Sequence, residues 1–561
     1  MSTVPAPPTV VKTDPTAIPL VGCQPASKVQ MEALDISEAE KFSGDLAVFT
    51  VLAPGSFHDD SGLPPAAKGP VELPEIAQKL DDAVGQGMLK EAVEAADFKA
   101  KMGGHVCVRL PSKSSPAVKS LAALGFGSMA DLSPASVTKA GSALAGLLLR
   151  GAGEKAKKVA LVLPACKGVC PSPEGQKKCK EMKERVLASF LETLLVDLQP
   201  DTRFKGDREE GKNCAQLEQL TIYSDDTESA KRAITRAKIT APGVYFAQEL
   251  VNAPANYCNP VTLAQAAVDM AKETGLEVEV LQRDEIEKLK MGCFLAVGKG
   301  SLFPHQFIHI TYKSSDPKKR RLALVGKGIC FDAGGYNLKT GGAQIELMKF
   351  DMGGAAAVLG AARALALLKP ANVEVHFLVA ACENMISDKS YRPGDVITAS
   401  NGKTVEVGNT DAEGRLTLAD ALIYAEKHVK ADTIVDVATL TGAAIVALGY
   451  KYAGLWSNKD CMANAILKSA ENSGEYMWRM PLARDYAEAL ESKCADMNNV
   501  GGKGKGGAII AAVFLSKFIE KASWAHIDIA GTAWDVKGNK ATGYGVRTLV
   551  EYVMSVSESQ N

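Results

Sequence analysis

Asn409-Thr410-Asp411-Ala412-Glu413-Gly414-Arg415-Leu416 is the stretch from which the rest of the chain is read. It sets two carboxylates two residues apart, with a guanidinium two further on. Gly414 between them is expected to free the backbone for a tight turn. Two clusters lie upstream: Gly326-Lys327-Gly328-Ile329-Cys330-Phe331-Asp332-Ala333-Gly334-Gly335, followed by Lys339, and then Met348-Lys349-Phe350-Asp351-Met352-Gly353-Gly354. Together they offer four acids, Asp332, Asp351, Asp411 and Glu413, and three bases, Lys327, Lys339 and Arg415. Four carboxylates can neutralise two divalent cations, leaving cationic side chains to meet an oxyanion. That is the inventory of a two-metal hydrolase.

The rhythm around these clusters is α/β. Near-continuous apolar runs at 321–326, 373–381, 432–438 and 524–530 read as buried strands. Ala-rich stretches at 353–368 and 416–428 read as helices between them. A mixed sheet covered by helices on both faces is expected for residues 251–561, with functional loops at strand ends. Upstream, strands at 46–52, 105–110 and 158–163 and a helix at 73–80 predict a smaller N-terminal α/β domain over 41–226. In that helix Leu73, Ile76, Ala77 and Leu80 share a face. Residues 1–40 read as a loosely ordered extension. Residues 164–211 read as a Lys/Glu-rich insertion with a helix at 180–198, and residues 227–250 as a linker helix.

A chain of 561 residues exceeds what one core usually holds, which implies two domains. Lys+Arg 64 against Asp+Glu 65 leaves a formal charge of −1, so no general field favours nucleic acid or an anionic membrane. No run approaches the ~20 apolar residues of a membrane helix. No charged-then-apolar signal opens the chain, and the first arginine is Arg109, against an Arg-rich mitochondrial presequence. A cytoplasmic location is expected, or a plastid one if a transit peptide has been removed. Cys107, Cys293, Cys330 and Cys382 sit in apolar runs, as buried thiols of a reducing compartment do. Cys166, Cys170 and Cys179 cluster without a zinc spacing or a nearby histidine; metal site, redox pair and chance clustering all stay open.

The octapeptide resembles the signature of the leucine aminopeptidase (cytosol aminopeptidase) family. The Gly-Lys-Gly…Phe-Asp-x-Gly-Gly and Asp-Met-Gly-Gly segments resemble that family in the same order, and the likeness runs from about Val244 to Val553. Ile345-Glu346-Leu347-Met348-Lys349-Phe350-Asp351 and Cys382-Glu383-Asn384-Met385-Ile386-Ser387 are most similar to plant-type members.

The resemblance implies that Lys327, Asp332, Asp351, Asp411 and Glu413 are the side-chain ligands of two divalent ions, zinc or manganese. Lys327 can ligate only as a neutral amine, so a neighbouring +2 charge must depress its pKa. Without the resemblance it reads as a lysine paired with those acids. By resemblance Lys339 is the electrophile that stabilises the gem-diolate oxyanion. Arg415 is likewise the anchor of a bicarbonate ion that takes a proton from the metal-bound water, a task its planar fork suits. A structural clamp on Asp411 or Glu413 is the other reading of Arg415. Met348, Asn409, Ala412, Thr439 and Gly442 are implied as pocket walls suited to an aliphatic side chain such as leucine, although Met348 alone also fits core filling. The resemblance further implies that the free peptide amine binds through one metal and Asp351, and that the chain forms a homohexamer, a dimer of trimers, around a cavity that admits peptides.

Ala333 departs from the family pattern, which usually has serine or threonine there; a lost hydroxyl would alter hydrogen bonding around Asp332. That departure and the N-terminal insertion motivate an alternative, a non-catalytic structural or chaperone role on the same fold. DNA binding through the N-terminal domain, known for some bacterial relatives, is disfavoured by the even charge. Gly298-Lys299-Gly300-Ser301 and the glycine-rich run at 501–507 do not fit G-x-x-x-x-G-K-[ST]. The second resembles the family's glycine-rich loop near the active site. His305 and His309 flank a strand-like Phe-Ile run, which puts them on one face but well separated, and no H-E-x-x-H occurs.

Overall fold

The computed structural model describes residues 20–21, 28–53, 71–111, 118–151, 153–164, 173–206, 216–314, 316, 319–502 and 505–559. Its first half is built on β1 (Gln30–Asp35), β2 (Gly44–Val51), β3 (His105–Arg109), β4 (Val118–Gly125), β5 (Lys158–Val162) and β6 (Gln219–Ser224), in the order β1-β6-β5-β2-β4-β3. Only β3 runs antiparallel to its neighbour. The helices here are α1 (Glu75–Leu80), α2 (Met88–Ala95), α3 (Thr138–Arg150), α4 (Pro173–Asp197) and α5 (Thr227–Asn252).

Two expectations change in this half. The stretch 1–40 is not loose throughout, because β1 pairs in register with β6 from Gln30↔Gln219 to Asp35↔Ser224. That long-range pairing leaves no periodic mark on so short a segment. The Lys/Glu-rich stretch, read as an insertion with one helix, also supplies core residues. Val186, Leu187, Phe190, Leu191, Leu194 and Leu195 of α4 are buried, and the helix packs on α3 and α5. Its polar first half hid a core-facing second half. Cys166 and Cys170 lie outside the described residues, while Cys179 sits in α4.

The second half holds an eight-stranded mixed sheet. Its strands are β7 (Glu277–Leu281), β8 (Gln306–Tyr312), β9 (Arg320–Asp332), β10 (Val373–Asn384), β13 (Thr433–Ala438), β14 (Ala453–Ser457), β15 (Met477–Arg479) and β17 (Ser523–Asp528), in the order β15-β14-β17-β13-β9-β10-β8-β7. The small strands β11 (Val396–Thr398), β12 (Thr404–Glu406) and β16 (Met497–Asn498) form a separate sheet. The four central strands, β17, β13, β9 and β10, are parallel; β8 and β14 flank them antiparallel. All twelve residues of β10 are buried, as an apolar strand covered on both faces requires.

Helices α6 (Pro260–Thr274), α9 (Gly353–Leu368), α12 (Asp460–Ser473) and α14 (Val546–Glu558) cover one face together with α5. Helices α7 (Arg283–Lys288), α8 (Gly292–Gly298), α10 (Gly414–Lys427) and α13 (Gly507–Ser516) cover the other, and α11 (Gly442–Leu448) lies beyond β13. The two-face covering and the smaller N-terminal α/β domain agree with the pattern read from the sequence. Helix α5 touches α4 and α9, and so joins the two halves.

A charged pair sits in the middle of this sheet. Asp436 and His526 are register partners, both fully buried, with Nδ1 and Oδ1 2.5 Å apart, and Trp524 Nε1 donates to the other carboxylate oxygen at 2.7 Å. Burial alone would lower the His526 pKa; Asp436 outweighs it and raises it above the ordinary 6.5. The pair's stabilisation is therefore fully present below that ordinary value and lost as pH rises through the folded-state value. The difference in Tm between the unmodified chain and His526→Gln is expected to be largest in acid and to shrink as pH rises, read by thermal melts across pH.

Candidate active site

The acids gather at the carboxyl ends of the parallel strands, where open α/β sheets place their ligand sites. Strand β9 carries Lys327 within it and ends on Asp332, β10 ends on Asn384, and β13 leads into Thr439. A 3₁₀ turn, Ile345–Met352, delivers Asp351 to the start of α9. The signature loop delivers Asp411 and Glu413 to the start of α10.

These segments bring the expected residues together. Lys327 Nζ lies 2.8 Å from Asp351 Oδ1, 2.8 Å from Glu413 Oε1 and 2.9 Å from the Thr439 carbonyl oxygen. Lys339 Nζ lies 2.9 Å from Asp332 Oδ2 and 2.6 Å from Asp411 Oδ1. Oxygens of Asp332, Asp411 and Glu413 fall within 4.8 Å of one another. Lys327, Asp332, Asp351 and Glu413 are each at most 4% exposed.

So dense a buried cluster strains its own charges. Burial, then Glu413, lifts the Asp332 carboxyl to about 7 against the pull of Lys339 and Lys327. Burial pushes Asp351 well above the carboxylate range. For Glu413 burial is outweighed by Lys327 and Lys339, which hold it low. Both lysines are held above their ordinary range, burial notwithstanding, by the acids they touch. Asp351 Oδ2 and Glu413 Oε2 are buried without a hydrogen-bond partner. An oxygen-rich donor set with excess negative charge and orphaned carboxylate oxygens fits divalent metal ions.

Gly414 serves a different purpose from the tight turn expected of it. A Cβ there would lie 2.4 Å from Lys327 Cε and 2.7 Å from its Nζ, so glycine is what lets the lysine reach Glu413. Arg415 is 7% exposed, and its Nη1 donates to the Asn499 carbonyl at 2.9 Å. The clamp on Asp411 or Glu413 is not formed; those acids pair with the two lysines. Burial brings the Arg415 pKa down to about 10, and its Nε is buried without a partner.

Among the expected pocket residues, Thr439 is fixed by donating to Asp351 Oδ1 at 2.8 Å. Met348 is half-buried in the turn that carries Asp351, and Ala412 is buried beside Glu413. Asn409 uses its side chain within the loop, its Oδ1 accepting the Asp411 N–H at 2.8 Å. Gly442 opens α11, is exposed, and has nothing within 4 Å of where a Cβ would stand. A valine at 442 would thus fold but intrude on that space. Gly442→Val is expected to raise KM for a leucyl substrate roughly tenfold with a smaller change in kcat, the scale of a misfit of one or two methyl groups. Steady-state kinetics on leucyl and alanyl substrates would check it.

Ala333 leaves no gap around Asp332. Asp332 Oδ1 accepts from the Gly334 N–H at 2.9 Å and from Asn384 Nδ2 at 2.7 Å.

Two further residues hold the site although nothing local singles them out. Asn499 is fully buried. Its Oδ1 accepts the Gly408 N–H at 2.8 Å and the Asn409 N–H at 3.2 Å, while its Nδ2 donates to the Asn409 carbonyl at 2.7 Å. Asp528 accepts from Thr441 Oγ1 at 2.7 Å and the Leu440 N–H at 3.1 Å, which fixes the loop after Thr439. Asn499→Ala is expected to cost about 2–4 kcal/mol of stability, the scale of two or three buried groups left unpaired, and to lower kcat. Denaturant melts and kinetics on the same preparation would show it.

Residues 245–550 match the cytosol aminopeptidase family, catalytic domain, and residues 66–187 match the same family's N-terminal domain. The chain belongs to the cytosol aminopeptidase family. A probable cytosol aminopeptidase of Cyanothece sp. is 45% identical over 521 residues, covering 92% of this chain and 98% of that relative. One of Rippkaea orientalis is 46% identical, covering 86% and 94%. The solved structure of a tomato leucine aminopeptidase variant superposes with a TM-score of 0.81 at 39% identity, covering 94% of this chain and 97% of that one. Membership of the cytosol aminopeptidase family makes the chain a metal-dependent leucyl aminopeptidase, a hydrolase of the exopeptidase class. The tomato structure also agrees with the plant-type wording of its motifs.

Proposed function

We propose that the enzyme uses two divalent ions, zinc or manganese, to hydrolyse the amino-terminal peptide bond of peptides, with leucine-like residues preferred. The observation that carries this reading is the convergence of four carboxylates on Lys327 and Lys339 at the sheet's carboxyl edge. Lys327, Asp332, Asp351, Asp411 and Glu413 would hold the ions, which supply Lewis-acid polarisation of the scissile carbonyl and a water acidified toward neutral pH.

The remaining work belongs to the chain. Asp351, oriented by Thr439, receives the substrate's free amine through its unpartnered oxygen. An acylated amine cannot donate there in the same way, and this restricts cleavage to the free end. Lys339 stays an ammonium between Asp332 and Asp411, a donor placed to meet the developing oxyanion. Arg415, gripped by the Asn499 carbonyl, keeps its Nε edge for a planar anion, which we assign to bicarbonate.

Exposed Tyr452, Tyr476 and Trp478 lie together at the edge strand β15. Such a patch supports self-association, here into a hexamer built as a dimer of trimers. The buried free thiols Cys258, Cys293, Cys330 and Cys382 suit a reducing compartment, and we place the enzyme in the cytoplasm. Elemental analysis after equilibrium dialysis against zinc or manganese is expected to return two ions per chain. A stoichiometry of one or none would exclude the two-metal reading.

A further inference from the structure

Three of the chain's seven histidines, His309, His376 and His428, gather with Tyr424 at the end of the sheet opposite the catalytic acids. His376 stands early in β10, in the strand segment where Glu374 pairs with Arg321 at the start of β9. Asp332 and Asn384, by contrast, close those same strands. On the antiparallel neighbour β8, His309 faces Leu378 and Thr311 faces His376, so the two imidazoles are diagonal neighbours on one face. Glu279 of β7 is the register partner of His309 on its other side.

Their hydrogen bonds form one chain. Glu374 is ion-paired with Lys319 and Arg321 and accepts from His376 Nε2 at 3.2 Å. With its proton on Nε2, His376 presents a bare Nδ1, which lies 2.8 Å from His309 Nε2. His309 Nδ1 lies 3.1 Å from the Tyr424 hydroxyl, and Thr311 Oγ1 stands 3.4 Å from both facing nitrogens. Histidines that bind metals donate their far N–H to a carboxylate or another oxygen, which sets the tautomer and the ring orientation. That outer frame is already built here: Glu374 stands behind His376 and the Tyr424 oxygen behind His309. Moving the His309 proton from Nε2 to Nδ1, where it donates to Tyr424, aims a lone pair from each ring at the same point with no net change of charge. The ring centroids lie 5.1 Å apart, so the two nitrogens face each other end on, and an ion between them with metal–nitrogen bonds of ~2.0 Å requires the side chains to part by about 1.2 Å from their 2.8 Å separation.

We propose that His309 and His376 form a second, imidazole-based site for a late first-row divalent cation, with Thr311 Oγ1 or water completing the shell. Copper(II) is held most tightly by such ligands, with nickel and zinc weaker. An ion there would clamp β8 to β10 far from the peptidase centre.

The catalytic donors include no imidazole, so the two kinds of site are separable by spectroscopy. The test is pulsed EPR on the full-length, zinc-loaded enzyme after adding one equivalent of Cu²⁺. The expected spectrum shows modulation from two imidazole nitrogens. His309→Gln and His376→Gln should each abolish the two-ring pattern and weaken Cu²⁺ binding roughly tenfold or more, with peptidase activity of the zinc form unchanged. Modulation from a single ring or none in the unmodified chain would overturn the proposal. So would a two-ring signal that persists in both variants. The unmodified chain decides the matter even if a variant folds poorly.

Discussion

Asp351→Asn is expected to lower kcat/KM for a leucyl substrate by at least about 10³-fold, the several kcal/mol that metal-borne charge stabilisation supplies. Asparagine keeps the shape of the side chain and can still accept the Thr439 hydroxyl, now 2.8 Å from Oδ1. It removes the charge, however, and with it one of the two carboxylates that flank Lys327. The substitution therefore separates charge from packing. Metal content should fall below two ions per chain, and near-ultraviolet circular dichroism should show a native fold. An unchanged kcat/KM would mean that Asp351 only neutralises Lys327.

The second large effect is expected at Lys339. Its ammonium touches Asp332 and Asp411 yet remains 14% exposed at the side chain, unlike Lys327 at 3%. That difference in access is what an electrophile needs and a ligand does not. Lys339→Met should lower kcat by about 10²–10³-fold with KM little changed, because the oxyanion exists only near the transition state. Metal content should stay at two. Loss of metal with kcat per loaded site unchanged would instead make Lys339 a counter-ion to the acids. Kinetics paired with elemental analysis distinguish these outcomes.

How much of this was legible in the chain depends on range. The central sheet was, because β9, β10, β13 and β17 are buried on both faces and so read as unbroken apolar runs. The acids and bases were legible because their spacing is local to three short segments. Gly414 shows the limit: its place was readable, but its reason, the approach of Lys327 from another strand, is a tertiary fact. Strand β1 is not legible locally because its partner among the described residues is β6, nearly 190 residues on (Gln30↔Gln219). The core-facing half of helix α4 is not legible, because its lysine- and glutamate-rich opening outweighs the apolar residues that follow. Asn499 and Asp528 bond to backbone and side-chain groups 84–91 residues away, and no local pattern marks such bonds. Spacing alone leaves Arg415 between two readings; the clamp is removed by its bond to the Asn499 carbonyl together with the pairing of Asp411 and Glu413 to the lysines.

Metal-dependent exopeptidase action is tested by hydrolysis of leucyl-anilide and of its N-acetylated counterpart by metal-stripped protein, before and after manganese or zinc is restored. The expected result is no turnover without metal, recovery on reloading, cleavage of the free-amine substrate alone, and loss of that cleavage in Asp351→Ala. Hydrolysis of the acetylated substrate at a similar rate, or no turnover by a fully reloaded, folded enzyme, would contradict it.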